Sequence, residues 1–236
     1  MFKYKFPRPA VTADVVMFTM RADDLAVLLI RRGADPFEGS WALPGGFVDE
    51  NEPLERAAAR ELEEETGVSG VPMEQLGAFG NPGRDPRGHT VTVAYFTFVL
   101  AESVRARAGD DAADVAWHPL RSLPLRSSFS PRAKPRTRSK PPPITLAFDH
   151  DVIIDAALGR LRERLDDPLR PSRFQLVPPR FTLAELQRVY EVILGRTLDK
   201  RNFRARLLAR GLVEPAGATA RKTGRHRPAQ LYRWNR

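Results

Sequence analysis

Residues 46–68 read Gly46-Phe-Val-Asp-Glu-Asn-Glu52-Pro-Leu-Glu-Arg-Ala-Ala-Ala-Arg60-Glu61-Leu62-Glu63-Glu64-Glu65-Thr66-Gly67-Val68. A Gly-Gly turn at 45–46 leads in, an Ala-rich run follows, and Gly67 closes the stretch where a helix C-terminal cap belongs. Pro53 suits a first helical turn, where its missing N–H costs nothing. Leu54, Ala57, Ala58 and Leu62 recur at helical spacing and predict a narrow apolar stripe for packing on a sheet. Glu61, Glu64 and Glu65 stand at i, i+3 and i+4, so a helix puts them on one face. Like charges so placed cost a helix a few tenths of a kcal/mol per pair. A hard divalent cation, which prefers carboxylate oxygens, would remove that repulsion. A solvated acidic face is the bland alternative, and Glu63, which falls off the shared face, is expected to be solvated.

The order Gly46, five residues, Glu52, seven residues, Arg60-Glu61-aliphatic-any-Glu64-Glu65-any-Gly67-aliphatic resembles the Nudix box at every specified position. The resemblance implies an α/β fold, a Nudix α/β/α sandwich with a mixed sheet. It also implies an enzyme class that cleaves nucleoside diphosphates linked to another group, with Mg²⁺ (or Mn²⁺) as cofactor. Carried over residue by residue, Glu61, Glu64 and Glu65 are similar to the metal ligands. Arg60 is similar to the residue that orients a box carboxylate, Glu52, and Gly46 to the turn through which backbone approaches substrate. The chemistry is sound independently. A pyrophosphate repels a nucleophilic water, and metal ions neutralise that charge and lower the pKa of bound water.

The flanks agree. Leu25 to Ile30 is a continuous apolar run, predicting a buried strand, and Trp41-Ala-Leu-Pro-Gly-Gly46 leads into the box as it does in the family. Val91 to Leu100 predicts a second apolar strand. Before it, Arg84-Asp-Pro-Arg87-Gly-His89 is similar to the substrate loop of Nudix domains that take ADP-ribose-like ligands, which makes Arg84, Arg87 and His89 candidate substrate contacts. Nudix hydrolases often add a carboxylate outside the box. Glu102, Asp110, Asp111 and Asp114 follow the second strand, but no motif selects among them and a solvated loop accounts for each.

Charge is unevenly placed within the total of +9. Residues 171–236 hold 15 Lys/Arg and 4 Asp/Glu, a net of +11. Residues 121–140 hold 7 Lys/Arg and no acids, and the remainder carries a net of −9. An acidic body with a basic end predicts two modules, one of which meets a polyanion. The 236 residues contain no cysteine, which excludes disulfides and Cys metal sites. No apolar run reaches the length of a membrane span, and Pro7, Pro9 and Asp14 interrupt any signal-peptide pattern, so the expected location is cytoplasmic.

Along the chain, residues 1–170 read as the Nudix domain. Trp117-His-Pro-Leu-Arg-Ser-Leu-Pro forms its last strand and turn, and Asp149 to Leu165 an amphipathic closing helix. His150 is explained by a helix-start position between Asp149 and Asp151. A basic, Pro/Ser-rich insertion at about 126–143 buries too little to order itself. Residues 171–236 form a second module. Thr182-Leu-Ala-Glu185 is a capping box before a helix carrying Leu186, Val189, Tyr190 and Ile193. Asp199 can cap a second helix bearing Lys200, Arg201, Asn202, Arg204 and Arg206, with Phe203, Leu207 and Leu208 as its buried side. Leu212 onward predicts a hairpin with a basic tip, closed by Gln230 to Trp234.

Helix, turn, basic helix, basic hairpin is the order of a winged helix-turn-helix. Asn202 and Arg201 or Arg204 have donors for base edges, Arg206, Arg221, Lys222, Arg225 and Arg227 suit phosphates, and Lys200 is a further DNA-binding candidate. Phe174-Gln-Leu-Val-Pro-Pro-Arg-Phe181-Thr-Leu-Ala-Glu185, Leu198-Asp-Lys-Arg-Asn202 and Arg227-Pro-Ala-Gln-Leu-Tyr232 resemble the end of the Nudix-related transcriptional regulators of NAD metabolism. That resemblance implies a homodimer, no membrane, operator DNA as partner, and ADP-ribose or a related nucleotide as signal. It covers nearly the whole chain except the basic insertion. Many members have a degraded box, whereas here the box is complete, so retained hydrolysis is compatible with it. The alternatives are a plain ADP-ribose pyrophosphatase with an incidental basic end, and a silent sensor.

Overall fold

The computed structural model describes residues 5–104, 106–107, 112–125, 144–166, 176–219 and 229–235. Alternation of apolar side chains builds the centre. In β1 (Ala10–Arg21) Ala13, Val15 and Met17 point to one side of the sheet, and Val16 and Phe18 to the other. β6 (Thr90–Val99) divides likewise, with Val93 and Tyr95 opposite Ala94, Phe96 and Phe98. Strands buried on both faces read as the near-continuous apolar runs seen in the sequence.

The sheet also contains β2 (Asp24–Arg32), β3 (Trp41–Ala42), β4 (Gly45–Phe47), β5 (Glu74–Phe79) and β7 (Ala112–Pro119). The order is β3-β2-β1-β6-β5, with β4 on β1 and β7 on β2. Only β1 and β6 run parallel, from Ala10↔Thr90 to Thr19↔Val99, so the sheet is mixed as expected. β1 and β2 pair only near their turn, over Phe18–Arg21 and Asp24–Val27. Beyond that they part. β4 takes β1 at Thr12–Asp14 and β3 takes β2 at Ile30–Arg31, so residues 41–47 fill the gap between the two strands.

Helix α1 (Leu54–Thr66) covers one face with Ala57, Ala58 and Leu62 and ends on Gly67 at φ 68°, whose N–H bonds Glu63 O at 2.8 Å. Helix α2 (His150–Asp166) covers the other with Ile153, Ile154, Ala157, Leu158, Leu161 and Leu165. This is the expected α/β/α sandwich.

The second module contains α3 (Leu183–Leu194), α4 (Lys200–Ala209), β8 (Val213–Thr219) and β9 (Gln230–Trp234), the helix pair and hairpin read from the sequence. Phe181 extends the hairpin by exchanging two hydrogen bonds with Tyr232, at 3.0 and 2.8 Å. The apolar core does not stop between the modules. Phe181, Leu186, Val192, Ile193, Phe203 and Leu207 belong to the same buried cluster as Phe18, Phe96 and the inner face of α2. One expectation fails here: Leu208 is 46% exposed, because Phe203 and Leu207 alone face α3. The 126–143 insertion, the 170/171 boundary and the tip residues Arg221, Lys222, Arg225 and Arg227 lie outside the described residues.

At α3 the capping box is complete: Glu185 N–H donates to Thr182 Oγ1 at 3.1 Å and Thr182 N–H to Glu185 Oε2 at 2.7 Å. Thr182→Ala is expected to cost about 1 kcal/mol in urea unfolding, and Thr182→Ser much less. Equal losses for the two would contradict a capping role.

Candidate functional site

Gly45 and Gly46, expected from the sequence as a turn, open strand β4 instead, paired to Asp14 and Ala13 of β1, and three carboxylates meet there. A side chain on Gly46 would place its first carbon 2.5 Å from Glu61 Oε1, and one on Gly45 would collide with Ala13 O and Asp14 Oδ1. The two glycines therefore let Asp14 of β1 and Glu61 of α1 close on one stretch of backbone. Gly45 N–H donates to Glu65 Oε2 at 2.8 Å. Burial pushes the Glu65 carboxyl up to about 8 against that bond, and the charges of Glu61 and Asp14 push in the same direction. Glu61 is also raised, mainly by burial, with Arg60 opposing.

Arg60 is the counter-charge. Nε and Nη2 donate to the two oxygens of Glu52 at 2.9 Å each, Nη1 donates to Glu61 at 2.8 Å and Glu64 at 3.0 Å, and Nη2 also reaches Phe47 O at 3.0 Å. The expected Arg60–Glu52 pairing is present in bidentate form. The hydrogen bonds that Arg60 donates pull Glu52 down to about 2, and donating to Glu52, Glu61 and Glu64 raises Arg60 further. Glu63 faces solvent, as expected.

Among the described residues no three His, Asp or Glu side chains surround one metal-ligating point. Glu61 and Glu64 are turned onto Arg60, and Glu65 onto Gly45. The donor set nevertheless suits a hard divalent ion. Asp14, Glu61 and Glu65 crowd one stretch of backbone, and the rise of Glu65, caused first by burial, is reinforced by the charges of Glu61 and Asp14.

A pocket opens beside this stretch, with Asp14, Arg32, Arg87, Phe47, Phe148 and His150 among its lining residues. The Arg87 guanidinium lies 5.1 Å from the Phe47 ring centre and 5.7 Å from that of Phe148, while Arg32 lies 5.1 Å from Phe148. Arg87 is tied to buried Asp85, with its N–H and Nε both on Asp85 Oδ1 and Nη2 on Oδ2 at 2.8 Å. Two cations and two aromatic rings facing a carboxylate-lined stretch of backbone can hold a phosphorylated, ring-bearing ligand.

Of the expected contacts, Gly46, Arg84 and Arg87 line this pocket. Arg84 is almost fully buried and held by Asp149 through Nε at 3.0 Å and Nη2 at 2.7 Å. His89 is exposed, lies outside the lining, and contributes its carbonyl to Ala10 N–H at 3.0 Å. His150 differs from its sequence reading. It is 3% exposed, its Nδ1 accepts the Leu43 N–H at 2.9 Å, and its Nε2 stands 3.9 Å from Asp14 Oδ1. Burial keeps it neutral by lowering its pKa, with Arg84 and Arg32 adding to the lowering and Asp14 and Asp149 opposing. Asp14 is the carboxylate that the sequence reading missed. Its signal was a lone charge inside the apolar run Val11–Phe18. Glu102 and Asp114 are not at this pocket, and Asp110 and Asp111 are outside the described residues.

At the other end, Asp199 caps α4 by accepting Asn202 N–H at 2.8 Å. Lys200, Arg201, Asn202 and Arg206 are exposed. Arg204 is half-buried, and its Nε is buried with no hydrogen-bond partner among the described residues, so Arg201 and Asn202 form the outward-facing donor pair.

Two family models match the chain: the NUDIX domain over residues 8–139 and the NrtR DNA-binding winged helix domain over residues 173–234. A curated relative, the ADPR responsive transcriptional repressor NtrR of Acinetobacter baylyi, is 36% identical over 98% of this chain and 84% of its own length. The chain belongs to the NrtR family. Shewanella oneidensis NrtR in complex with a 27mer DNA is similar across 95% of this chain and 93% of that one, with a TM-score of 0.70 and 35% identity. The NUDIX domain of Shewanella oneidensis NrtR complexed with ADP ribose matches 66% of this chain and 90% of its own, with a TM-score of 0.54 and 36% identity. This NrtR-family chain thus has both modules in a single apolar core, and no helix among its described residues is long and apolar enough to cross a membrane.

The buried His150 sets a pH dependence. Its folded pKa lies below the ordinary 6.5, so below that value the unfolded chain takes up a proton that the native site refuses. Its contribution to stability is present above about pH 6.5 and is lost as pH falls through the lowered folded value. His150→Gln, which keeps an acceptor for Leu43 N–H, is expected to flatten that loss between about pH 7 and pH 5 in chemical unfolding. Parallel stability profiles for the two proteins would count against it.

Proposed function

We propose that this chain is a DNA-binding transcriptional regulator whose Nudix domain takes ADP-ribose or a related nucleotide as its signal. The carrying observation is one continuous core that joins a cation- and carboxylate-lined pocket to a capped basic helix. The named repressor and the two Shewanella structures support the same reading. Residues 1–170 act as the nucleotide module and 171–236 as the DNA module. The working form is a homodimer on a two-fold DNA site. α4 enters the major groove, where Arg201 and Asn202 read base edges. Lys200, Arg206 and the basic hairpin tip, with Arg221, Lys222, Arg225 and Arg227, meet phosphates. A nucleotide alters operator occupancy only through its different affinity for the DNA-competent and incompetent states.

The complete box favours a second activity at the same site, hydrolysis of the signal. Glu61, Glu64 and Glu65, with Asp14 beside them, would hold Mg²⁺ or Mn²⁺. The ion would screen the pyrophosphate and lower the pKa of a bound water. Arg60 and Glu52 fix the carboxylates from behind, and Arg32, Arg84 and Arg87 supply positive charge toward the phosphates. Gly46 leaves room for them to approach the backbone.

Incubation with ADP-ribose and Mg²⁺ is expected to release AMP and ribose 5-phosphate, and Glu64→Gln with Glu65→Gln to abolish release. A wild-type protein that binds ADP-ribose without turnover leaves the sensor alone. Arg201→Ala and Asn202→Ala should each weaken binding to the DNA upstream of the chain's own gene by about 1–3 kcal/mol and relax sequence preference. Only weak, sequence-independent binding by the wild type would remove the regulator.

A further inference from the structure

Helix α2 reaches from the pocket to the winged helix. Its first turn is built into the site. Trp41 N–H bonds Thr145 O at 3.0 Å and Ala147 N–H bonds Trp41 O at 2.8 Å, which fastens the segment before α2 to β3. Phe148 follows in a left-handed conformation, φ 54°, that a residue with a side chain keeps only when its surroundings hold it. Its ring packs on Phe37 with centres 4.9 Å apart, beneath the Arg32 and Arg87 guanidiniums. Asp149 clamps Arg84, and His150 receives Leu43 N–H. Three successive residues, two leading into α2 and the third opening it, thus touch the groups that line the nucleotide pocket.

The far end of α2 is built into the DNA-binding module. Twelve residues on from His150, about 18 Å along the helix, Arg162 Nε donates to Ile193 O at 2.9 Å. Ile193 lies in the last turn of α3, where carbonyls lack helical partners. Leu161 and Leu165 share the buried cluster with Leu186 and Ile193. Apolar side chains of α3 also pack directly on the sheet, and a second polar contact between the modules lies at the β1–β2 turn, where Arg188 reaches Asp23 at 3.7 Å. β1 and β2 are hydrogen-bonded into the middle of the sheet, whereas α2 itself reaches the sheet, among the described residues, through side chains, with Arg160 and Arg164 on Glu74 of β5. A packed helix can shift by 1–2 Å where a paired strand cannot.

We propose that α2 carries the state of the nucleotide pocket to the DNA-binding helices, with Phe148, Asp149 and His150 as its sensing end and Arg162 as its grip on α3. This rests on the regulatory reading above. A ligand that draws on Arg84, Arg87 or the Phe148 ring loosens or tightens the first turn of α2, and α3 follows because its last carbonyls and its buried face are held by the same helix.

Hydrogen exchange of the full chain tests this, with ADP-ribose as probe and Ca²⁺ as the divalent ion. The wild type should change exchange at residues 41–47 and 84–89 and also, by about threefold or more, at 183–196. Arg162→Met should keep the pocket response and its ADP-ribose affinity and lose the response at 183–196. Normal transmission in Arg162→Met, or its loss in Arg188→Ala instead, overturns α2 as the carrier. If ADP-ribose leaves the pocket unprotected, the functional reading fails separately. The linkage is then judged in the ligand-free protein by Asp149→Asn. Faster exchange at 190–196 supports it, and unchanged exchange there overturns it.

Discussion

Three carboxylates and one stretch of backbone compete for the same small volume, and most of the molecule is arranged so that they can share it. Asp14 comes from the central strand, and Glu61 and Glu65 come from the covering helix. The start of β4, Gly45–Gly46, fits between them because neither residue has a side chain. For β4 to pair with β1 at all, β1 and β2 must part, leaving the gap that residues 41–47 occupy. Arg60 then offsets much of the charge, using all three guanidinium nitrogens on Glu52, Glu61, Glu64 and the Phe47 carbonyl.

The remainder of the core follows from where those pieces sit. Small residues on α1, Ala57 and Ala58, bring its acidic face close to the sheet. The opposite sheet face takes the larger Phe18, Phe96 and Phe98 and so can accept both α2 and α3. With two helices on that face, the winged helix is seated directly on the Nudix sheet. Such seating makes side-chain contacts such as Arg162 with Ile193 O possible in the first place.

Local chemistry was legible in the sequence wherever spacing alone decides it. The box helix, its Gly67 cap and the Thr182–Glu185 capping box all follow from residues a few positions apart. Contacts created by chain closure were not legible. Leu43 N–H and His150 are 107 positions apart, and Arg84 and Asp149 are 65 apart, so no pattern announces either. On α4, Arg204 and Leu208 lie on one flank at i and i+4. Arg204 is drawn in and Leu208 is left out, because periodicity fixes a face but not how far a neighbour extends along it. Asp14 was readable in principle: a lone carboxylate inside an apolar strand has a reason to be there.

That last feature bears on how the chain's descendants would diverge. Asp14 is 6% exposed in the middle of β1, where an apolar residue would fill the same space without the desolvation cost of a buried charge. In a lineage that stopped using the acidic site, drift should replace this residue early, ahead of Glu64, whose side chain is 58% exposed and costs little to retain. The identity of the residue at position 14 would then be a better marker of a working Nudix site than that of Glu64.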